Sequence, residues 1–119
     1  MIWIENINMP TANIFYSSKA QLKNLQRLAP KLKVYLAEKL TCGDIKLNKD
    51  EISVRPIEVD DMGMIGAVEV EITAFAFPER VKKQDEICLQ VRKFMQNEYP
   101  ELGEIKVWLI LTELGHSWE

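Results

Sequence analysis

The feature that most constrains this chain is a doubled order of elements: strand, helix, strand, and then strand, helix, strand again. The second half echoes the first in residues as well as in order, since Glu51-Ile52-Ser53-Val54 recurs as Glu104-Ile105-Lys106-Val107, each after a helical stretch and a short loop. Two strands joined through a helix are brought parallel, with the helix on one face of the sheet. At 119 residues, 47% of them hydrophobic, the chain has material for one core rather than two. Two architectures satisfy this order. One is a ferredoxin-like split βαβ domain; the other is two βαβ units about a pseudo-twofold axis in one four-stranded mixed sheet, with both helices on one face.

The elements are read from periodicity. Residues 11–16 form a short alternating strand. Leu22, Leu25, Leu28, Ala29, Leu32, Leu36 and Leu40 recur at three- and four-residue steps and predict a helix over 18–40, capped by Ser17 or Ser18. Pro30 falls inside it, where a missing N–H and a ring clash predict a kink or a break. Residues 51–59 read as a strand with Ile52 and Val54 on one face, Ser53 and Arg55 on the other, and Pro56 marking a bulge or an exposed edge. After a turn at Asp60-Asp61-Met62-Gly63, residues 67–77 alternate strictly. Val68, Val70, Ile72, Ala74 and Ala76 oppose Glu69, Glu71, Thr73, Phe75 and Phe77. Pro78 opens a second helix with Val81, Cys88, Val91 and Met95 as its apolar stripe, flanked by Ile87 and Phe94. The last strand, 104–113, is apolar on both sides, with Trp108 and Ile110 opposite Ile105, Val107, Leu109 and Leu111. That predicts burial at the centre of the sheet or against another subunit.

Charge and composition exclude several functions. The net charge is −3 and the signs interleave, as in Lys82 and Lys83 beside Glu79, Asp85 and Glu86. A nucleic-acid binder needs clustered, unopposed cations. No apolar run approaches a membrane span, and the start lacks a secretion signal, so a cytoplasmic protein is expected. Two cysteines outside any C-x-x-C and a single histidine, His116, predict reduced thiols, no metal site and no cofactor.

Met9-Pro10 is the pair that bears on chemistry. A proline that follows an initiator methionine becomes the first residue once the methionine is removed, and its nitrogen is then a basic secondary amine; inside a chain it is an inert amide. Read from Pro10, with Ser53-Val54-Arg55 in the second strand and the stretch from Glu58 to Ile65-Gly66 ending in glycine, the sequence resembles the tautomerase superfamily. That group includes 4-oxalocrotonate tautomerase, 5-carboxymethyl-2-hydroxymuconate isomerase and macrophage migration inhibitory factor. The likeness runs from Pro10 to about Glu113 and is nearest to the branch known as DUF1904.

The resemblance implies a tautomerase-like domain over 10–119, assembled as a homotrimer, and a proton-transfer isomerase acting on a small keto or enol carboxylic acid. It assigns Pro10 as base and Arg55 as anion anchor, a fork of donors matched to a carboxylate. Lys19 stands where the family has a second arginine, and Met64 with Ile65 where it has a pocket aromatic. Residues 1–9 are either an extension that blocks Pro10 or a mis-assigned start, the true one being Met9. The other functional readings are a non-enzymatic oligomeric module of the same fold, with the proline blocked, and a ferredoxin-like small-ligand-binding domain. Ile2, Trp3 and Ile4 are candidates to add an edge strand, which gives the extension a structural role, and in the homotrimer Glu69, Glu71 and Thr73 are candidates to line a central channel. Glu69 and Glu71 are also candidates to pair with Arg55, and His116 and Trp118 to dock on a neighbouring subunit.

Overall fold

A computed structural model of the chain describes residues 10–43, 46–60, 63–64 and 66–113, apart from the side chain of Ala20. The readings made for Ile2, Trp3, Ile4, Asp61, Met62, Ile65, His116 and Trp118 lie outside the described residues.

Strand β1 (Thr11–Tyr16) leads into helix α1 (Lys19–Leu40), and a 3-10 turn at Lys49–Glu51 precedes β2 (Ser53–Glu58). The second unit is β3 (Val68–Phe75), a short helix α2 (Pro78–Lys82), helix α3 (Gln84–Glu98), a 3-10 turn at Pro100–Leu102, and β4 (Ile105–Thr112). The sheet order is β2-β1-β3-β4. Within each unit the strands pair directly and in parallel, β1 with β2 and β3 with β4, while β1 and β3 meet antiparallel at the centre. A split βαβ unit holds a third strand between its two parallel ones. None intervenes here, so the ferredoxin-like reading is overturned and the two-unit architecture stands.

One face of the sheet carries the core. Ala12, Ile14, Tyr16, Val68, Val70, Ile72 and Ala74 alternate inward and meet Leu25, Leu28, Leu32, Leu36 and Leu40 of α1 and Ile87, Val91 and Met95 of α3. The helices bind each other through Tyr35 stacked on Phe94, ring centroids 4.1 Å apart. Lys31 also reaches Glu98 at 3.3 Å over the Tyr99 ring.

Three expectations need correction. Helix α1 runs unbroken through Pro30, which sits on its exposed side, because the leucine face buried on either side of that turn outweighs one missing hydrogen bond. The second helix is not continuous: it turns at Lys83, whose φ of −105° and ψ of 12° are not helical. That turn rotates the first five residues out of phase with the stripe, so Val81 is 51% exposed and Arg80 is 1% exposed in its place. Finally, among the described residues β4 is an edge strand, not a central one; Trp108 and Ile110 stand on the face that carries no helix, 42% and 43% exposed. Pro56 fulfils its reading as an edge residue, since β2 is the other edge and keeps its register across it, Pro56 opposite Ile14.

Candidate functional site

Pro10 is buried at the head of β1, and its carbonyl accepts a hydrogen bond from the Ser53 amide at 3.2 Å. This bond is the first rung of the β1–β2 ladder, so the sheet itself fixes the proline against the start of β2. With Met9 joined to it, the Pro10 nitrogen is an amide and carries no base.

Arg55 lies opposite Asn13, three residues further along the ladder, about 10 Å from the level of Pro10 at strand spacing. It is exposed and shares the helix-free face with Ser53, whereas Pro10 falls in phase with Ala12 and Ile14 on the helix face. Lys19, exposed, opens α1 beyond the far end of β1, and half-buried Met64 follows the same far end of β2. Six strand residues, about 20 Å, separate that end from Pro10. One protomer therefore places Lys19 and Met64 at one end of the sheet and Pro10 at the other, with Arg55 between them on the opposite face.

The helix-free face forms polar rows. Arg55, Asn13, Glu71 and Trp108 succeed one another across the four strands. Asn13 Oδ1 is buried without a hydrogen-bond partner among the described residues. Glu71 stands two strands from Arg55, about 10 Å away, and ion pairs join Lys31 to Glu98 and Lys106 to Glu104. The Lys106 ammonium holds the Glu104 carboxyl below its usual pKa. A groove of about 540 Å³ between α1 and the start of β2, lined by Gln26, Pro30, Lys33, Val34, Lys49 and Val54 among others, includes neither Pro10 nor Arg55.

The most highly constrained polar side chain among the described residues escaped the sequence reading. Arg80 donates from Nε and Nη2 to the Leu40 carbonyl at 2.9 and 2.8 Å, from Nη1 to the Phe75 carbonyl at 3.1 Å, and lies over the Phe77 ring. Burial pulls its pKa down, partly offset by the neighbouring Cys42 thiol. Its work is structural: it ties the end of α1 to the end of β3. The one available signal was its place between Pro78 and Lys83 in a basic run that reads as a solvated face. Among the described residues no group of three or more His, Cys, Asp or Glu is placed to hold a metal ion, and no helix is long and apolar enough to cross a membrane.

Solved structures of the same architecture exist. A macrophage migration inhibitory factor-like protein from Entamoeba histolytica superposes with a TM-score of 0.56 at 14% identity, covering 93% of this chain and 96% of that one. A domain of unknown function, DUF1904, from Sebaldella termitidis gives 0.55 at 13% identity over 93% and 95%. A fused 4-OT, solved as a symmetric trimer, gives 0.52 at 17% identity over 89% of each chain. This chain has the tautomerase/MIF fold. At these identities the likeness is one of fold, and it agrees with the motif resemblance read from Pro10, Ser53-Val54-Arg55 and the glycine turn. No family model and no curated protein matches the sequence.

Proposed function

We propose that the domain formed by residues 10–119 is a tautomerase-like proton-transfer isomerase for a small keto or enol carboxylic acid, active when Pro10 is the first residue. The observation that carries this reading is the placement of Pro10: buried, at the head of a central strand, and held through Ser53 in a sheet of the tautomerase/MIF type. A free proline amine in apolar surroundings loses hydration of its charged form, which lowers its pKa toward neutrality, where a base works best. It would take the enol proton and return it to the carbon alpha to the carbonyl, leaving the substrate's atoms and charge balanced. Arg55 would hold the carboxylate, with Lys19 as a second cation and Met64 shaping the pocket.

Because Pro10 is at one end of a protomer and Lys19 and Met64 are at the other, such a pocket has to combine residues from neighbouring copies. Exposed Trp108 and Ile110 on the helix-free face support self-association, and the fused 4-OT neighbour is a symmetric trimer. The proposed assembly is accordingly a homotrimer working in the cytoplasm.

The test begins with the intact mass of the protein purified from its native locus, which reports whether the chain starts at Met1 or Pro10. Protein made to begin at Pro10 should ketonise an enol carboxylic acid such as phenylenolpyruvate; Pro10→Ala should lose the reaction, and Arg55→Ala should raise KM. Failure of the Pro10-initiated protein to do so overturns the enzymatic reading. A second reading, an oligomeric module without proline catalysis, is favoured by the amide that Met9 makes of the Pro10 nitrogen. A native mass that retains Met1 would support it.

A further inference from the structure

The two edges of the sheet are closed at equivalent positions by different means. In a parallel ladder, successive residues of an edge strand direct their backbone groups alternately toward the partner and toward solvent. The Ser53 and Val59 amides bond to β1, at Pro10 and Tyr16, so Ser53, Arg55 and Ile57 face inward and Val54, Pro56 and Glu58 present their backbone outward. The carbonyls of Glu104 and Thr112 accept from Val68 and Ala76, so on β4 the outward residues are Ile105, Val107, Leu109 and Leu111. The internal repeat that aligns Ser53-Val54 with Lys106-Val107 aligns Pro56 with Leu109.

Pro56 has no N–H to offer an incoming strand. Leu109 has both groups, and α3 reaches toward both. Gln84 Nε2 donates to the Leu109 carbonyl at 2.7 Å, and the Leu109 amide is placed to donate to the Cys88 thiol, pulling its pKa down against the effect of burial. Gln84 and Cys88 are four residues apart on α3 and so share one face of it. The remaining outward positions of β4 are Ile105 and Val107 on one side of this closure and Leu111 on the other.

We propose that Gln84 and Cys88 form a latch that closes the β4 edge at Leu109 and, with Pro56 on the opposite edge, stops copies of this chain from adding strand to strand without limit. An edge open along its whole length is a template for further pairing, and β4 is apolar on both faces. With the latch shut, an approaching strand finds at most two consecutive outward residues, Ile105 and Val107. Contacts between copies are thereby left to short ladders and to the helix-free face. The latch operates whether or not Pro10 catalyses anything.

Amide hydrogen exchange of the full chain tests this. In the unaltered protein the Leu109 amide should exchange at least about tenfold more slowly than those of Val107 and Leu111, the scale of one lost hydrogen bond. Gln84→Met with Cys88→Ala should erase that difference and, in light scattering across a concentration series, replace a discrete species with growing assemblies that bind an amyloid dye. Cys88→Ser alone, which keeps an acceptor, should retain the protection and the discrete mass, and Leu89→Ala, an exposed change on the same helix, should alter neither. Equal protection of Val107, Leu109 and Leu111 in the unaltered protein would mean that another copy covers this edge, and would overturn the latch. So would a double variant that exposes the Leu109 amide without changing its assembly mass.

Discussion

Arg80 places two of its nitrogens on a single oxygen, the carbonyl of Leu40, at 2.8 and 2.9 Å. Leu40 is the last residue of α1, where carbonyls have no intrahelical partner, and a buried helix end needs a donor from elsewhere. A third nitrogen reaches Phe75 at the end of β3, so one side chain closes a helix and fixes it to the second half of the sheet. Arg80→Lys should lower unfolding free energy by about 3 kcal/mol, because a single ammonium cannot replace the planar fork and a buried charge is left with fewer partners. Urea titration should show the fall in midpoint with little change in slope. A loss under about 0.5 kcal/mol, the range of an ordinary surface change, would refute this role.

Pro30 invites the opposite outcome. It interrupts the hydrogen-bond ladder of α1 from an exposed position within a helix of 22 residues, with Leu28 and Leu32 fully buried on either side. Pro30→Ala restores the missing donor without touching the core. Thermal unfolding should rise, by an amount equivalent to about 1–3 kcal/mol, below or near the difference between the two residues in a helix interior. No gain would mean that the local backbone has relaxed fully around the proline.

Much of this fold was legible in the residues because burial obeys period. The alternation from Val68 to Ala74 and the leucine face of α1 emerge as the two sides of one core, and Pro56 marks an edge. Periodicity could not choose between the two topologies, because it is blind to which strands lie side by side. It also assumed one phase for the second helix, so the turn at Lys83 exchanged Val81 for Arg80. Trp108 and Ile110 gave β4 the composition of a buried strand, a property that one protomer leaves unused. The site was less legible still. Pro10 was marked by the Met9-Pro10 pair, but Arg55, Lys19 and Met64 came from resemblance, and nothing in their spacing told that a single protomer holds them apart.

Cys88 carries a pH dependence whose sign follows from its surroundings. Burial pushes its thiol pKa above the ordinary value of 9.0, opposed in part by the Leu109 amide and reinforced by Asp85. In the unfolded chain the thiol ionises first, so over the window above about 9 the unfolded state holds fewer protons than the folded one. Stability contributed by the neutral thiol is complete below that window and is lost as pH rises through it. Denaturation midpoints measured from pH 7 to 10 should therefore fall more steeply for the unaltered protein than for Cys88→Ser. The thiol should also alkylate more slowly at pH 8 than a free cysteine peptide, since the thiolate is the nucleophile. Parallel pH profiles for the two proteins would refute the assignment.

Trp108 and Ile110 offer the most direct test of self-association. They project from one edge strand onto the face without helices, opposite Glu71 and Thr73 on β3, and each is more than two-fifths exposed in the isolated protomer. Tryptophan and isoleucine on neighbouring same-face positions form an anchor of the kind that concentrates binding energy at interfaces. If they are buried between copies, replacing both with lysine removes apolar contact and places two charges where burial leaves them unpaired. The loss should reach about 3 kcal/mol per interface, or about a hundredfold in dissociation constant. Light scattering over a dilution series should then show protomers at concentrations where the unaltered protein is still assembled. Circular dichroism should be unchanged, because neither side chain contributes to the core beneath the helices. If the double lysine variant keeps the assembled mass on dilution, the helix-free face near β4 is not where copies meet, and a trimer built on it cannot supply the shared pocket proposed for Pro10.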